Sequence, residues 1–367
     1  MSSKFIISGG GTGGHIFPAI AIANGIKKRE PLAEILFIGA KGRMEMKRVP
    51  NAGYDIVGLP VAGFQRKVNL KNIYRNTTFP FKLLWSMIKA YKVIRKFKPN
   101  AVIGVGGYAS GPSLKMAAMM KIPTILQEQN SFPGATNRML AKKADKICVA
   151  YEETDKYFSK EKMVLTGNPI RADLLKTEMK NPKAYEYFKL NPDKKCVAVI
   201  GGSLGAKTLN ISLGASLEKF ELADVQLVWQ TGERYYKEFD LASKASENIK
   251  IMPFVDRMDY LYSVADLVVS RAGALSISEL ACLGKPTILV PSPNVSGDHQ
   301  TKNAKVLADK DAAIMLKDSD AIHLLPNLMI DTLNDAEKLE NLSENILKFA
   351  HKDALNDIVN VIFETKK

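Results

Sequence analysis

The chain has 367 residues, 46% hydrophobic and 25% charged, which allows two domains with separate cores and excludes a disordered or fibrous protein. Its 52 Lys and Arg against 38 Asp and Glu give a formal charge of +14, which implies an anionic partner: nucleic acid, acidic lipid headgroups or a phosphorylated substrate. The three cysteines, Cys148, Cys196 and Cys282, suggest neither a disulfide framework nor a metal clip and read as buried thiols of a reducing compartment. No secretory h-region and no run of ~18 apolar residues is visible, so a cytoplasmic protein is expected, one able to touch a membrane surface without crossing it.

Lys4-Phe5-Ile6-Ile7-Ser8 is a short apolar run with β-branched residues, the pattern of a buried parallel strand. Gly9-Gly10-Gly11-Thr12-Gly13-Gly14 follows, and His15-Ile16-Phe17-Pro18 opens a helix, with proline near the start, where its missing N–H had no partner. Strand, glycine turn and helix N-terminus together make an anion site of bare amides and a positive dipole end. Further strands are predicted at 34–39, 54–59, 101–105, 123–127, 146–150 and 163–166. The fourth strand runs into Gly106-Gly107-Tyr108-Ala109-Ser110-Gly111-Pro112 and the fifth into Glu128-Gln129-Asn130. Such alternation argues for a doubly wound parallel sheet with helices on both faces.

Gly167-Asn168-Pro169-Ile170-Arg171 breaks the rhythm, and the lysine-rich stretch 168–194 reads as a linker. The pattern then restarts with Cys196-Val197-Ala198-Val199-Ile200, the turn Gly201-Gly202-Ser203-Leu204-Gly205-Ala206 and a helix from Lys207. Strands at 225–230, 248–252, 267–270, 287–291 and 312–315 complete a second unit, and a last helix is expected over 335–364. The predicted domains are therefore 1–167 and 195–344, with a final helix, about 345–367, returning to the first. Two α/β domains of this kind place function in the cleft between their strand carboxyl ends.

Gly9, Gly11 and Gly14 satisfy G-x-G-x-x-G, but a dinucleotide site also needs an acid at the end of the second strand. That strand ends Gly39-Ala40-Lys41-Gly42-Arg43, without a carboxylate, and no Gly-Lys-Ser/Thr makes the turn a P-loop. His15 reads either as a helix-capping histidine or as a general base. A helix N-terminus disfavours imidazolium, and a placed base contributes about 10²–10⁴-fold in rate. Ser276, with Glu279 three residues on, is either a capping box or a turn and carboxylate that grip a ribose. The stretch 69–98 interleaves Lys and Arg with Ile, Phe, Leu and Trp, so it is either a solvated helix with an ordinary buried face or a dock for anionic lipid. No zinc finger or recognisable RNA-binding motif supports nucleic acid, and no Asp-x-Asp pair at a strand end offers to hold a metal.

The glycine loops, Glu128-Gln129-Asn130, Gly167-Asn168-Pro169-Ile170-Arg171 and Gly273-Ala274-Leu275-Ser276-Ile277-Ser278-Glu279 occur in an order and spacing that resembles the MurG family of bacterial lipid II synthases. The resemblance runs from Ile6 to about Ala304. It implies the GT-B fold, two Rossmann-like domains facing across a cleft, without a cofactor or metal. It implies an inverting transfer of GlcNAc from UDP-GlcNAc to the C4 hydroxyl of undecaprenyl-diphospho-MurNAc-pentapeptide. By matching motif positions it implies donor contacts from Thr12, Gly13, Gly14, Asn130, Arg171, Ser203, Val255, Ala274, Leu275, Ser276, Ile277, Ser278, Glu279 and Gln300, with Glu279 on the ribose. It implies an acceptor side at Gly106, Gly107, Tyr108 and Glu128, near the candidate base His15. A peripheral protein on the cytoplasmic face of the cell membrane follows, with 69–98 on anionic lipid and cell-wall synthesis proteins as partners. A related GT-B enzyme with another nucleotide sugar or acceptor, and a non-catalytic nucleotide-sugar-binding scaffold, remain alternatives. Leu204, Ala272 and Gln127 depart from the glutamine, serine and histidine usual in the family.

Overall fold

A computed structural model describes residues 2–61, 77–202, 204–244 and 246–367. The chain divides into two compact units, Met1–Ile170 with Asp353–Lys367, and Arg171–Lys352. The first holds β1 (Lys4–Ser8), β2 (Glu34–Ala40), β3 (Asp55–Leu59), β4 (Ala101–Gly104), β5 (Thr124–Glu128), β6 (Lys146–Val149) and β7 (Met163–Leu165) in the order β3-β2-β1-β4-β5-β6-β7. The second holds β8 (Cys196–Ile200), β9 (Gln226–Gln230), β10 (Ile249–Met252), β11 (Leu267–Ser270), β12 (Thr287–Leu289) and β13 (Ile314–Met315) in the order β10-β9-β8-β11-β12-β13. Neighbouring strands pair in parallel throughout both sheets. In each unit the order reverses at the first strand, so the turns after β1 and β8 stand at topological switch points, where open α/β sheets bind ligands.

Alternation along β1 explains how the first sheet is covered. Phe5 and Ile7 face one layer with Ile22, Ile26, Ile358 and Ile362, on the helices Gly13–Arg29 and Ala354–Thr365. Ile6 faces the other with Ala90, Ile94 and Leu114, on the helices Phe79–Phe97 and Ser110–Met119. The second unit packs Val197, Val199, Trp229 and Val269 against Leu209, Leu213, Leu325 and Met329. Such burial, about 1.5–3 kcal/mol per large apolar side chain, holds each layer. Cys148, Cys196 and Cys282 are free and buried, and burial pushes the Cys148 and Cys196 thiols up to about 12.

Three local readings change. The first helix begins at Gly13, so Pro18 lies inside it and leaves the Gly14 carbonyl without its helical donor. The stretch read as a linker carries the helix Pro182–Phe188, capped by the Asn181 side chain, with Ala184, Tyr185 and Phe188 buried. The single last helix expected over 335–364 is two, Ala336–Leu347 and Ala354–Thr365, the first contacting the helix Ala274–Cys282 and the second the helix Gly13–Arg29. Among the described residues no helix is long and apolar enough to cross a membrane.

Candidate functional site

In the first unit two glycine loops lock together. A Cβ on Gly107, whose φ is 83°, would stand 2.2 Å from the Gly10 carbonyl oxygen, so only glycine permits the approach. The loop after β1 is braced from beneath by Glu45, a buried side chain that sequence reasoning missed. Its Oε2 accepts from the Gly11 N–H at 3.0 Å and its Oε1 from the Ala40 N–H at 2.9 Å. The acid absent from the end of the second strand is thus present in space, but the backbone engages it. Ahead of the helix, Thr12 is extended, and Gly13 and Gly14 supply the amides of a first turn that no intrahelical carbonyl satisfies. Tyr108 stands half exposed beside Gly106 and Gly107.

His15 sits over Gly106, where an added Cβ would meet its ring at 2.8 Å. Its Nδ1 is 3.0 Å from Gln129 Oε1. Gln129 Nε2 donates to the Val105 carbonyl at 2.9 Å, to the Gln127 carbonyl and to Gln127 Oε1. Gln127 Nε2 donates to Asn168 Oδ1 at 3.0 Å, and Asn168 Nδ2 donates to the Gln129 carbonyl at 3.1 Å. Glu128, expected on the acceptor side, is buried. Its Oε1 accepts from the Asn130 N–H and amide, and its Oε2 from the Gly134 N–H and the Asn137 amide. Its carboxylate therefore shapes the loop that presents Asn130.

In the second unit the loop after β8 packs against the loop after β9. A Cβ on Gly205, whose φ is 75°, would fall 2.2 Å from the Thr231 carbonyl oxygen. Ser203 lies outside the described residues, and Leu204, in place of the usual glutamine, is 85% exposed. The helix Lys207–Gly214 that follows is tied through Thr208 Oγ1 to Asp318 at 2.9 Å, and Asp318 also pairs with Arg271. Arg271 donates further to the Val290 carbonyl at 3.0 Å, which ties the end of β11 to the chain leaving β12.

The helix Ala274–Cys282 begins two residues before Ser276 and has no side-chain cap, so the capping-box reading falls. Ala272 is buried, with the Asn303 amide on its carbonyl. Glu279 is partly buried, and desolvation raises its carboxyl to about 7 against the Tyr262 hydroxyl bond at 3.1 Å and the Arg171 charge. Arg171 itself pairs with Asp173, which raises its already high pKa. The Val255 N–H donates to Gln230 Oε1 at 3.3 Å, so that amide is already engaged. Gln300 Oε1 accepts from the Ser292 N–H at 2.8 Å. Leu275 and Ser278 are partly exposed on the helix's first turns, Ser278 donating to the Ala274 carbonyl, while Ile277 is buried.

The helix Phe79–Phe97 settles how its apolar residues are disposed. Its buried face consists of Ser86, Ala90 and Ile94, whereas Phe81 (77% exposed), Leu84, Trp85 (64%), Ile88 and Tyr91 lie outside. Lys92, Arg95 and Lys96 are exposed beside them, and Lys89 donates to the Gly58 carbonyl at 2.8 Å. Residues 69–76 of the basic stretch lie outside the described residues. Among the described residues no group of three His, Cys, Asp or Glu could hold a metal ion.

Known proteins resemble this arrangement over its whole length. The glycosyltransferase family 28 N-terminal domain matches residues 5–149, and the family 28 C-terminal domain matches 196–358. The chain belongs to glycosyltransferase family 28. Two relatives named UDP-N-acetylglucosamine--N-acetylmuramyl-(pentapeptide) pyrophosphoryl-undecaprenol N-acetylglucosamine transferase show how near other members stand. One, from Parabacteroides distasonis, is 54% identical over 98% of this chain and 97% of its own length. The other, from Flavobacterium psychrophilum, is 51% identical over the same shares. The crystal structure of Acinetobacter baumannii MurG, 27% identical, covers 99% of both chains with a TM-score of 0.79, and with the two parallel sheets it places this family 28 member in the GT-B fold.

Proposed function

We propose that this chain transfers N-acetylglucosamine from UDP-GlcNAc to the C4 hydroxyl of MurNAc in undecaprenyl-diphospho-MurNAc-pentapeptide, a step of peptidoglycan synthesis. The observation that carries this reading is identity of 51% and 54%, over nearly the full chain, to relatives bearing that transferase name. The reaction is a single displacement: the acceptor hydroxyl attacks the anomeric carbon and UDP leaves with inversion. It needs one base and a stabilised leaving group, and no enzyme nucleophile.

His15 is the base. Its place over the joined glycine loops of the first unit, with Nδ1 on an amide oxygen, supports the role. The acceptor diphosphate is assigned to Gly106, Gly107 and Tyr108, with Glu128 supporting the loop. The leaving diphosphate is assigned to the N-terminus of the helix Lys207–Gly214 with Ser203, where preorganised donors lower barriers by several kcal/mol. Glu279 takes the ribose, the backbone at Val255 the uracil and Gln300 the sugar. Ala274 to Ser278 wrap the nucleotide, and Thr12, Gly13, Gly14, Asn130 and Arg171 complete the donor contacts. The outward apolar stripe of Phe79–Phe97, rimmed by Lys92, Arg95 and Lys96, rests on anionic lipid at the cytoplasmic face of the membrane.

His15→Ala, assayed by UDP release with lipid acceptor, is expected to lower kcat about 10²–10⁴-fold. Near-normal kcat would remove His15 as base. Turnover of UDP-GlcNAc in preference to UDP-glucose and UDP-GalNAc tests the donor, and activity in EDTA tests the metal-free leaving-group account.

A further inference from the structure

The buried side-chain amides behind His15 all point one way. Gln129 Nε2 faces only oxygens, the carbonyls of Val105 and Gln127 and Oε1 of Gln127, so that atom must be the amide nitrogen and the atom facing His15 must be the oxygen. An amide oxygen accepts only. His15 Nδ1 therefore carries a proton, and in the neutral ring Nε2 is the imine nitrogen with the lone pair. The next amide is oriented too. Asn168 Nδ2 donates to the Gln129 carbonyl, so its Oδ1 accepts from Gln127 Nε2, which turns Gln127 Oε1 toward Gln129. Gln127, Gln129 and Asn168 are each at most 1% exposed, so water does not compete for these bonds.

We propose that Gln129, oriented by Gln127 and Asn168, is a positioning residue that fixes His15 as the Nδ1–H tautomer and so presents Nε2 to the acceptor hydroxyl. The inference rests on the reading of His15 as base and adds how the right nitrogen is selected. The linked amides of Gln129, Gln127 and Asn168 are uncharged, so they set the tautomer without the fixed anion that a carboxylate partner would bring. It also gives Gln127 a chemistry that two residues can satisfy. Its amide donates to one neighbour and accepts from another, and a neutral histidine offers the same pair of functions.

The test is ¹⁵N NMR of the full chain labelled at histidine, with His15, one of four histidines, assigned by its loss in His15→Gln. The expected spectrum has His15 protonated at Nδ1 and imine-type at Nε2. Gln129→Met is expected to move His15 toward the Nε2–H form and to lower kcat about 10–100-fold, with KM for UDP-GlcNAc changed less than about twofold, since the loss is confined to the proton-transfer step. Should Gln129→Met fail to fold, Gln127→Leu replaces it, and Gln127→His is expected to keep both the tautomer and kcat. A wild-type His15 protonated at Nε2, or an unchanged tautomer in Gln129→Met or Gln127→Leu, would overturn the proposal. A His15→Gln enzyme with full kcat beside a clean Nδ1–H spectrum would instead overturn the base reading alone.

Discussion

The two units share a strand order and the position of a glycine turn, yet they differ in charge. Met1–Ile170 and Asp353–Lys367 carry 29 Lys and Arg against 13 Asp and Glu, while Arg171–Lys352 carries 23 against 25. The whole positive balance of the chain therefore belongs to the first unit. Backbone packing holds both glycine turns, Gly10 on Gly107 and Gly205 on Thr231, but the first is pinned in addition by a buried carboxylate, Glu45. The difference separates two kinds of anion recognition. Net charge acts over roughly a Debye length of 8 Å and gathers a protein onto an anionic surface. Backbone amides at a helix start act at hydrogen-bond distance and can grip a diphosphate in a unit with no positive balance at all.

Gly205→Val would break the second unit's half of that contrast most sharply. The new Cβ meets the Thr231 carbonyl oxygen at 2.2 Å at a backbone φ of 75°, so the loop must move. We expect kcat/KM for UDP-GlcNAc to fall about 100-fold or more, the scale of losing preorganised donors, with binding to anionic vesicles unchanged. A joint loss of both would show that the two tasks are not separable by unit. Reversal of Lys82, Lys92, Arg95 and Lys96 to glutamate should do the converse. At about 1 kcal/mol per cation, partition onto anionic vesicles should drop by two orders of magnitude or more while UDP-GlcNAc binding holds. Sedimentation with vesicles at low and high salt checks it, and equal binding by the variant would end the docking assignment.

Glu279 sharpens the comparison through pH. Its carboxyl, raised to about 7, accepts from the ribose hydroxyls of the proposed donor site most strongly when ionised, since both oxygens then act as acceptors. Affinity for UDP-GlcNAc should therefore fall as pH drops below 7, by up to about tenfold at one unit below, and Glu279→Gln should bind weakly with no such slope. Calorimetric titration between pH 6 and 8 reads this without involving His15. The smallest effect concerns stability. Lys285 is buried in the second unit with its ammonium on the Ala265 carbonyl at 2.7 Å, and burial lowers its pKa to about 8. The folded state then binds fewer protons than the unfolded state between pH 8 and 10.5, so stability rises with pH across that window by at most about 3 kcal/mol. Lys285→Met should flatten that rise in denaturant melts and leave turnover unchanged.

The sheets were legible because their strands are continuous apolar runs, and a parallel strand buried on both faces leaves no other pattern. The glycine turns were legible as well, since Gly107 and Gly205 occupy positive φ at contacts that admit no Cβ. What stayed hidden depends on distance in space. Glu45 lies just past a strand end that was searched for an acid, but only the fold turns its carboxylate back onto Gly11 and Ala40. Gln127, Gln129 and Asn168 sit in motifs already picked out, yet nothing local says that they bond to one another. The capping box at Ser276 and Glu279 failed for the opposite reason. Local spacing fitted a helix start, but the turn after β11 starts the helix earlier and sends Glu279 inward toward Tyr262.

The helix Ala354–Thr365 has a consequence for synthesis. It contributes Ile358, Val359, Val361 and Ile362 to the core around Phe5 and Ile7, and its Phe363 ring lies 5.5 Å from that of Phe5. On the ribosome, the unit that emerges first must wait for residues translated after the whole of the second before that layer can close, whereas Arg171–Lys352 is complete earlier. A chain released before Ala354 would hold a complete Arg171–Lys352 unit and a first unit whose layer over Phe5 and Ile7 stays open, a target for chaperones.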